Sequence, residues 1–134
     1  MDSPVIVYPE VTAAFTCPAY GCSPYTVNFT NQSVNAANYL WDFGNGSFSG
    51  QTNPSNTYIN STTNDQAYTI QLIASSNFGC ADTVSNITTV AFQPIAGFTA
   101  TPLTQTFPSA QVDVINTTNA GTWNYSWSWG DSNT

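Results

Sequence analysis

The sequence predicts an all-β protein with an immunoglobulin-like β-sandwich architecture. Seven short segments alternate between apolar and polar residues, and turn residues such as Gly, Pro, Asn and Ser separate them at intervals of about 8–12 residues. No segment combines a helical period with capping residues. A pattern near residue 40 also returns after 86 residues, a spacing that suits small β domains in tandem.

The first complete domain is predicted to begin with two strands and a loop between them. Ala13 and Phe15 occupy the inner side of the first strand. Residues 17–24 contain two prolines and a glycine, so they are predicted to form a loop. Residues 25–30 alternate cleanly and are predicted to form the second strand, with the aromatic and aliphatic side chains facing the core.

Residues 39–46 carry the clearest strand and hairpin turn of the chain. Their aromatic residues recur at the two-residue strand period and share the face that is predicted to be buried. Asp42 lies on the opposite face and can accept hydrogen bonds from the amides of the turn that follows. Asn45 and Gly46 predict a two-residue type I′ turn, because both residue types tolerate positive φ. The structural signature of this segment is Trp41, Asp42, Phe43, Gly44, Asn45 and Gly46.

Four further segments complete the predicted sandwich. Residues 47–49 return from the hairpin, and residues 53–58 are predicted to form a second turn that ends in a tyrosine. Residues 66–75 show the strongest strand pattern and are predicted to lie centrally, with the Tyr68 hydroxyl reaching back to upstream backbone as in a tyrosine corner. Residues 83–92 alternate more weakly and are predicted to form the final strand.

A second copy of the hairpin segment lies further along the sequence. Residues 125–132 repeat the pattern of residues 39–46. The aligned pairs are Trp127 with Trp41, Trp129 with Phe43, and Gly130 with Gly44. Two upstream segments also correspond, residues 97–99 with 14–16 and residues 112–116 with 27–31. The chain is therefore predicted to contain small β domains in tandem, since the period is too long for a solenoid unit.

The repeat predicts three segments. Residues 11–92 are expected to form a complete sandwich, and residues 93–134 the N-terminal part of a second, incomplete copy. Residues 1–10 resemble the segment before the second copy, so we interpret them as the last strand of a preceding repeat or a linker; an N-terminal strand of the first domain is an equal alternative. We expect an excerpt of a longer array rather than completion by another chain, because one donated strand cannot replace four missing ones.

The composition excludes several classes of function. The 134 residues include no Lys, Arg or His and seven acidic residues, which give a formal charge of -7. Such a chain repels a phosphate backbone, so no nucleic-acid partner is expected. The usual general bases are missing, so we expect no catalytic residues and no enzyme. No apolar run approaches the roughly 20 residues that cross a bilayer, so no membrane insertion is expected.

Four linked motifs make the chain resemble a polycystic kidney disease (PKD) domain. The motifs are residues 41–46, 53–58, 68–72 and 77–82. The resemblance covers residues 11–92 in full and residues 95–134 as the first part of a second copy, and it adds Tyr58 and Tyr68 to the structural signature. Three positions depart from the family pattern: Asn45 replaces an acidic turn residue, Ser128 stands at the counterpart of Asp42, and Ser132 replaces the last glycine of the turn in the second copy.

The residues around Cys22 and Cys80 further resemble PKD repeats in cell-surface adhesins of gliding Bacteroidetes, which are exported by the type IX system. This resemblance implies a non-catalytic structural or adhesive spacer in a long extracellular surface protein or filament, with a role in adhesion or gliding motility. The implied partners are neighbouring repeats, identical chains, and surface glycans or proteins. The alternative is an accessory polysaccharide- or protein-binding module of a secreted hydrolase.

Three cysteines in a chain of this composition indicate an oxidising compartment. The resemblance implies a disulfide between Cys22 and Cys80, which would stabilise the fold by about 4 kcal/mol in the chain-entropy model. Cys17 is then free or bonded to another chain. A competing bond between Cys17 and Cys22 stays open at this point, because connectivity does not follow from sequence.

Modification and ligand sites are less strongly indicated. Seven Asn-x-Ser/Thr sequons occur, and the chosen glycosylation candidates are Asn28, Asn60 and Asn86, with Thr83 in a short motif resembling a Bacteroidetes O-glycosylation site. No cofactor or metal site is expected, because the acidic residues are scattered; calcium near Asp42 is the weaker alternative to a turn clamp. Trp123, Tyr20 and Phe48 are candidates for stacking on sugars.

Overall fold

The computed structural model describes residues 4–104 and 111–129. The chain divides into two compact units, unit 1 (Met1–Gln93) and unit 2 (Pro94–Thr134). The described residues form β-strands and no helix, so the all-β prediction is confirmed for them. None of these residues lies in a helix able to span a membrane. The strands are β1 (Phe15–Thr16), β2 (Tyr20–Cys22), β3 (Tyr25–Asn28), β4 (Thr30–Asn31), β5 (Asn38–Asp42), β6 (Phe48–Ser49), β7 (Ser55–Tyr58), β8 (Gln66–Ser75), β9 (Ala81–Ala91), β10 (Phe98–Thr101) and β11 (Asp113–Asn116).

Unit 1 contains a five-stranded sheet in the order β2-β9-β8-β5-β6. Its main ladder is the antiparallel β8–β9 hairpin, which runs from the pair Gln66 and Val90 to the pair Ser75 and Ala81. β5 pairs antiparallel with the other side of β8. β8 therefore lies in the middle of the sheet, as its strong alternation predicts. The edge strand β2 runs parallel to the end of β9.

Shorter strand pairs form the opposing layer of unit 1. β1 pairs with β4, and β3 pairs with β7, all antiparallel. β3 and β4 belong to one segment that is interrupted only at Phe29, whose amide donates to the Pro54 carbonyl at 3.0 Å. The first segment of the unit thus contributes β1 to this layer and β2 to the five-stranded sheet.

The core of unit 1 fills the space between the two layers. Both layers contribute buried side chains to one cluster, and its aromatic rings pack edge-on, tilted or stacked at centroid distances between 5.1 and 6.3 Å. The cluster consists of Phe15, Val27, Phe29, Trp41, Phe43, Tyr58, Ile70, Leu72 and Val90. A smaller cluster of Val11, Ala13 and Ala74 closes one end of the sandwich.

Two strands lie where the sequence predicts loop or turn. β2 lies within the predicted loop of residues 17–24, because a three-residue edge strand with mostly exposed side chains has no alternation to reveal it. β7 lies within the predicted turn of residues 53–58. Residues 4–10 form no strand in the structure and are exposed, and the interpretation of residues 1–10 as the last strand of a preceding repeat or a linker stays a prediction.

Unit 2 contains the antiparallel pair β10–β11. Phe98 pairs with Asn116, as Phe15 pairs with Asn31 in unit 1. Three hydrogen bonds next to this pair also have counterparts. The Thr117 amide donates to the Gly97 carbonyl, as the Gln32 amide donates to the Ala14 carbonyl. The Thr118 amide donates to Asn116 Oδ1, as the Ser33 amide donates to Asn31 Oδ1. The Gly97 amide donates to Thr118 Oγ1, as the Ala14 amide donates to Ser33 Oγ.

Candidate functional site

The hairpin between β5 and β6 is held by its own polar side chains. Asp42 Oδ1 accepts a hydrogen bond from the Gly44 amide at 2.8 Å, and Asn45 Oδ1 accepts one from the Ser47 amide at 3.1 Å. Positive φ occurs at Gly44 (73°) and Gly46 (85°) but not at Asn45, so the predicted type I′ turn over Asn45 and Gly46 is wrong. The left-handed residues are therefore the glycines on either side of Asn45. Gly44 also passes so close to the Thr69 carbonyl that a Cβ would collide with it, so this position requires glycine.

A buried tyrosine ties this hairpin to the opposing layer. The Tyr58 hydroxyl donates to the Phe43 carbonyl at 3.0 Å, and burial raises the pKa of this phenol. The sequence pattern predicts such a bond for Tyr68, but the Tyr68 ring instead packs on the Tyr58 ring, with centroids 4.6 Å apart. The correction follows from strand position, because β7 faces the end of β5 across the core. Trp41 is fully buried, and its Nε1 donates to the Gln51 carbonyl at 2.8 Å.

The N-terminal pole of unit 1, where the chain enters the sandwich, is fastened by Asp82. Its Oδ2 accepts the Ala13 amide at 2.8 Å and its Oδ1 accepts the Thr83 amide at 2.8 Å. These bonds, that of Ala13 foremost, lower the pKa of the Asp82 carboxyl. Tyr8 stacks on Phe78 at the same pole, with ring centroids 3.9 Å apart. The sequence shows no sign of the hydrogen bond between Ala13 and Asp82, because these residues are 69 positions apart.

Asp82→Asn should remove a pH-dependent part of the stability of unit 1. The depressed folded-state pKa of Asp82 means that its contribution is fully present above the unfolded pKa of about 3.9 and is lost as the pH falls through the folded value. The difference in melting temperature between wild type and Asp82→Asn should thus be full at pH 6, begin to shrink as the pH falls below about 4, and close as the pH falls through the lowered folded pKa. Asp113→Asn removes one charge from the other unit and serves as the control. A gap that persists undiminished at low pH would contradict the prediction.

The C-terminal pole, where β9 ends, is fastened by Asn60. Its Nδ2 donates to the carbonyls of Val90 and Asn64, both at 2.8 Å. Its Oδ1 accepts from the Thr62 amide at 2.9 Å and from the Thr62 hydroxyl at 2.7 Å. The backbone amide of Asn60 in turn donates to Ser23 Oγ at 2.8 Å. Asn60 is buried, and its side-chain amide makes two hydrogen bonds as donor and two as acceptor, which is its full capacity.

The two poles lie at opposite ends of unit 1. Ala13 is bonded to Asp82 at the start of β9, whereas Cys22 pairs with Ala91 at its end. β9 has 11 residues, so the poles are separated by roughly 35 Å. The chain consequently enters unit 1 at one end of the sandwich and leaves it at the other.

The same geometry contradicts the implied disulfide between Cys22 and Cys80. Cys80 directly precedes β9, whereas Cys22 pairs with Ala91, the last residue of β9. The two cysteines therefore lie at opposite poles, and their Cα atoms are much further apart than the roughly 7 Å that a disulfide allows. All three cysteines are free thiols. Cys17 packs half-buried against the main core, and burial raises the pKa of its thiol.

Thiol labelling should separate the three cysteines. We expect Cys22, which is exposed, to react first with a soluble maleimide in the native protein, and Cys17 to react last because burial disfavours its thiolate. Adding a reductant should leave the melting temperature of unit 1 unchanged. Non-reducing peptide mapping that recovers a Cys22–Cys80 link from monomeric protein would contradict the fold described for unit 1.

The glycosylation candidates differ in accessibility. Asn28 and Asn86 are exposed, and Thr83 is exposed on β9. Asn60 is wrong as a candidate, because its amide nitrogen is buried and donates to two carbonyls. The threonine that completes its sequon, Thr62, has a structural role, because its hydroxyl bonds Asn60 Oδ1 and the Asn64 carbonyl within the loop.

The sugar-stacking candidates are also separated by the structure. Trp123 is half-buried, and its Nε1 donates to the Asn119 carbonyl at 2.9 Å. Tyr20 is exposed and donates to Asp65 at 3.4 Å; partial desolvation and the Asp65 charge raise the pKa of its phenol. Phe48 is exposed beside a small cleft of about 140 Å³ on the outer face of the five-stranded sheet. The cleft is lined by Leu40, Asp42, Phe48, Gln71 and Ile73.

Metal-ligating side chains do not converge in the part of the chain that the structure describes, where no three Asp, Glu, His or Cys side chains form a group. One carboxylate oxygen of Asp42 accepts the hydrogen bond from the turn amide.

In the second copy of the hairpin segment, the Trp127 ring lies edge-on to Phe98 with centroids 5.5 Å apart, as the Trp41 ring lies edge-on to Phe15 at 5.1 Å. Gly130 falls outside the described residues.

No protein-family model and no curated protein matches the chain. Solved structures do. The PKD1 domain of Vibrio anguillarum Epp is 27% identical with a TM-score of 0.53, and the match covers 63% of this chain and 98% of that domain. The PKD1 domain of the Vibrio cholerae metalloprotease PrtV is 26% identical with a TM-score of 0.52, covering 62% and 99%.

A third structure, described as carbohydrate-binding modules from the β-sandwich superfamily, is 20% identical with a TM-score of 0.54, and the match covers 79% of this chain and 52% of that one. It shows a shared fold only. The two Vibrio domains add sequence identity to the shared architecture. The chain is thus an all-β protein whose structural neighbours are PKD domains.

Proposed function

We propose that the chain is a non-catalytic spacer module of a long extracellular surface protein or filament of the Bacteroidetes adhesin kind, displayed for adhesion or gliding. The observation that carries this proposal is the opposite placement of the two poles of unit 1. A unit that is entered at one end and left at the other adds its length, roughly 35 Å, to the reach of an array. The structural neighbours are PKD domains and carbohydrate-binding modules, which are non-catalytic domain types and support the same role.

Repetition of the unit along the chain is part of the proposal. It is supported by the equivalent strand pairs of Phe98 with Asn116 and Phe15 with Asn31, and by the equivalent ring contacts of Trp127 and Trp41. Neighbouring repeats are then the first partners of each unit. Identical chains and surface glycans or proteins are further partners at the cell surface, where uncharged Asn, Ser and Thr side chains keep the array soluble.

Mechanical extension tests the spacer role. Non-cysteine handles at residues 9 and 94 of the full chain would load unit 1 between its poles, in series with a helical reference domain. We expect the helical domain to open first, because tension along β9 shears whole ladders instead of breaking one bond at a time. Opening of unit 1 before the reference domain would overturn the proposal.

The second candidate is an accessory polysaccharide- or protein-binding module of a secreted hydrolase. The cleft beside exposed Phe48 favours it, as does the presence of one neighbouring PKD domain in a metalloprotease. Insoluble cellulose, chitin and collagen distinguish the two functions, since a spacer should not be retained on any of them. Retention that is lost in Phe48→Ala and kept in Phe78→Ala, a second exposed phenylalanine, would favour the binding module.

A further inference from the structure

The turn between β5 and β6 contains the one step in the sequence where glycine follows asparagine, Asn45 and Gly46. An asparagine side chain can react with the next residue, because the nitrogen of that residue can attack the side-chain carbonyl carbon, Cγ. Glycine has no side chain to obstruct this approach. Both residues are exposed, and a Cβ added at Gly46 would meet no atom within 4 Å. The turn therefore leaves room for the reaction.

The hydrogen bonding of the turn activates the Asn45 carbonyl. The Ser47 amide donates to Asn45 Oδ1 at 3.1 Å. Negative charge develops on this oxygen when Cγ is attacked, so a backbone donor that is already aimed at it stabilises the intermediate. The ring that this hydrogen bond closes also runs through the Gly46 nitrogen, which keeps Cγ near the attacking atom.

The attacking nitrogen and the leaving nitrogen are both unengaged. The amides on either side of Asn45 and Gly46 are bonded, that of Gly44 to Asp42 Oδ1 and that of Ser47 to Asn45 Oδ1. The Gly46 amide and Asn45 Nδ2, in contrast, donate to no acceptor in the part of the chain that the structure describes. The Gly46 nitrogen can thus attack, and Nδ2 can leave, without breaking a hydrogen bond of the fold.

Three other asparagines accept the same bond from the amide two residues further on, and each is blocked at another atom. They are Asn31, Asn60 and Asn116, which accept from the amides of Ser33, Thr62 and Thr118. The amides that directly follow Asn31 and Asn116 donate to backbone carbonyls, each at 2.8 Å. Asn60 is buried, and its Nδ2 is held by two carbonyls at 2.8 Å. Of these four, Asn45 alone combines an activated carbonyl with an unengaged nucleophile and leaving group.

We propose that Asn45 is a site of spontaneous deamidation in the folded protein. The Gly46 nitrogen forms a bond to Asn45 Cγ, the bond from Cγ to Nδ2 breaks, and Nδ2 leaves as ammonia with the proton that the Gly46 amide gives up. Water then opens the resulting five-membered succinimide at either of its carbonyls, which yields aspartate or isoaspartate. The reaction needs only water, so it can proceed in a chain that has no Lys, Arg or His.

The two products have different consequences for the hairpin. Aspartate keeps a carboxylate oxygen in place to accept from the Ser47 amide, and it adds one negative charge. Isoaspartate adds a methylene to the main chain between Phe43 and Ser47, whose amide and carbonyl are bonded at 3.1 Å. β6 pairs with β5 only through Trp41 with Ser49 and Asp42 with Phe48. We expect isoaspartate to detach β6 from this edge of the sheet.

Ageing of the full 134-residue protein in warm neutral buffer made with heavy-oxygen water tests the proposal. Each succinimide that opens during ageing takes up the heavy oxygen, so any reaction during digestion is not counted. Pepsin at acidic pH is the suitable protease, because the chain has no site for trypsin. We expect the peptide that contains Asn45 to be labelled at least roughly tenfold faster than those that contain Asn31 or Asn116.

Gln32→Gly is the matched control, and Gln32 is exposed. This substitution places a glycine after Asn31, which accepts from Ser33 as Asn45 accepts from Ser47, but the nitrogen at position 32 donates to a carbonyl. Asn31 should stay intact in the native variant and react once urea unfolds it. Equal labelling of Asn31 and Asn45 in the native variant would overturn the proposal. It would also be overturned if Asn45 stayed intact in the native protein while a free peptide of residues 41–50 deamidated.

Discussion

Phe43→Ala should destabilise unit 1 by roughly 3–5 kcal/mol, the range measured for removing a buried phenylalanine. The Phe43 ring is buried and stacks on Phe29 with centroids 5.2 Å apart. Its loss leaves a cavity between the two layers, beside the Tyr58 side chain that donates to the Phe43 carbonyl. Denaturant unfolding should show a much lower midpoint with an unchanged slope. Because domains have only about 5–15 kcal/mol of stability, a large share of the total is at stake.

Phe48→Ala is the matched control for this prediction. Phe48 lies in the same hairpin, on the other side of the turn, and its ring is exposed on the outer face of the sheet. Its removal should change the free energy of unfolding by about 0.5 kcal/mol or less. If the two variants unfold at the same denaturant concentration, the assignment of inner and outer faces in this hairpin is incorrect.

Asn60→Ala should cost roughly 2–4 kcal/mol, although asparagine at a loop is usually replaceable. The substitution leaves the buried Val90 carbonyl and the Thr62 amide without their partners. It also releases the loop of residues 60–65 from the C-terminal pole. We expect the melting temperature of unit 1 to fall by roughly 10 °C or more.

Asn28→Ala provides the comparison, because Asn28 also begins a sequon but is exposed on β3. It should change the free energy of unfolding by about 0.5 kcal/mol or less. In a glycosylating host, occupancy should be detected at Asn28 or Asn86 before it is detected at Asn60. Efficient glycosylation of Asn60 in folded protein would contradict its burial.

Local patterns were sufficient to predict the strands that form the core. The alternation of residues 66–75 predicts the existence of β8 and its buried face, because a strand with one face on the core alternates apolar and polar residues. The inward faces of Trp41 and Phe43 follow from the same period. Asp42 is identifiable because an acid two residues before a turn amide is a local device.

Contacts between distant residues were not predictable in this way. The bond from Ala13 to Asp82 and the pairing of β2 with β9 depend on how the layers close, and no local period encodes them. The buried role of Asn60 was hidden by a sequon that composition makes frequent. The implied disulfide failed for a related reason, since spacing along the chain does not reveal that the two cysteines stand at opposite poles.

The β8–β9 hairpin has a consequence for the order of folding. Its ladder joins residues only 6–24 positions apart, whereas β2 joins β9 across 69 positions. Loop closure costs more entropy for the longer separation, so we expect the hairpin to form early and β2 to dock late. Substitutions in β8 should then slow folding, and substitutions in β2 should mainly accelerate unfolding. The edge beside the chain's exit would thus be the first part of unit 1 to detach.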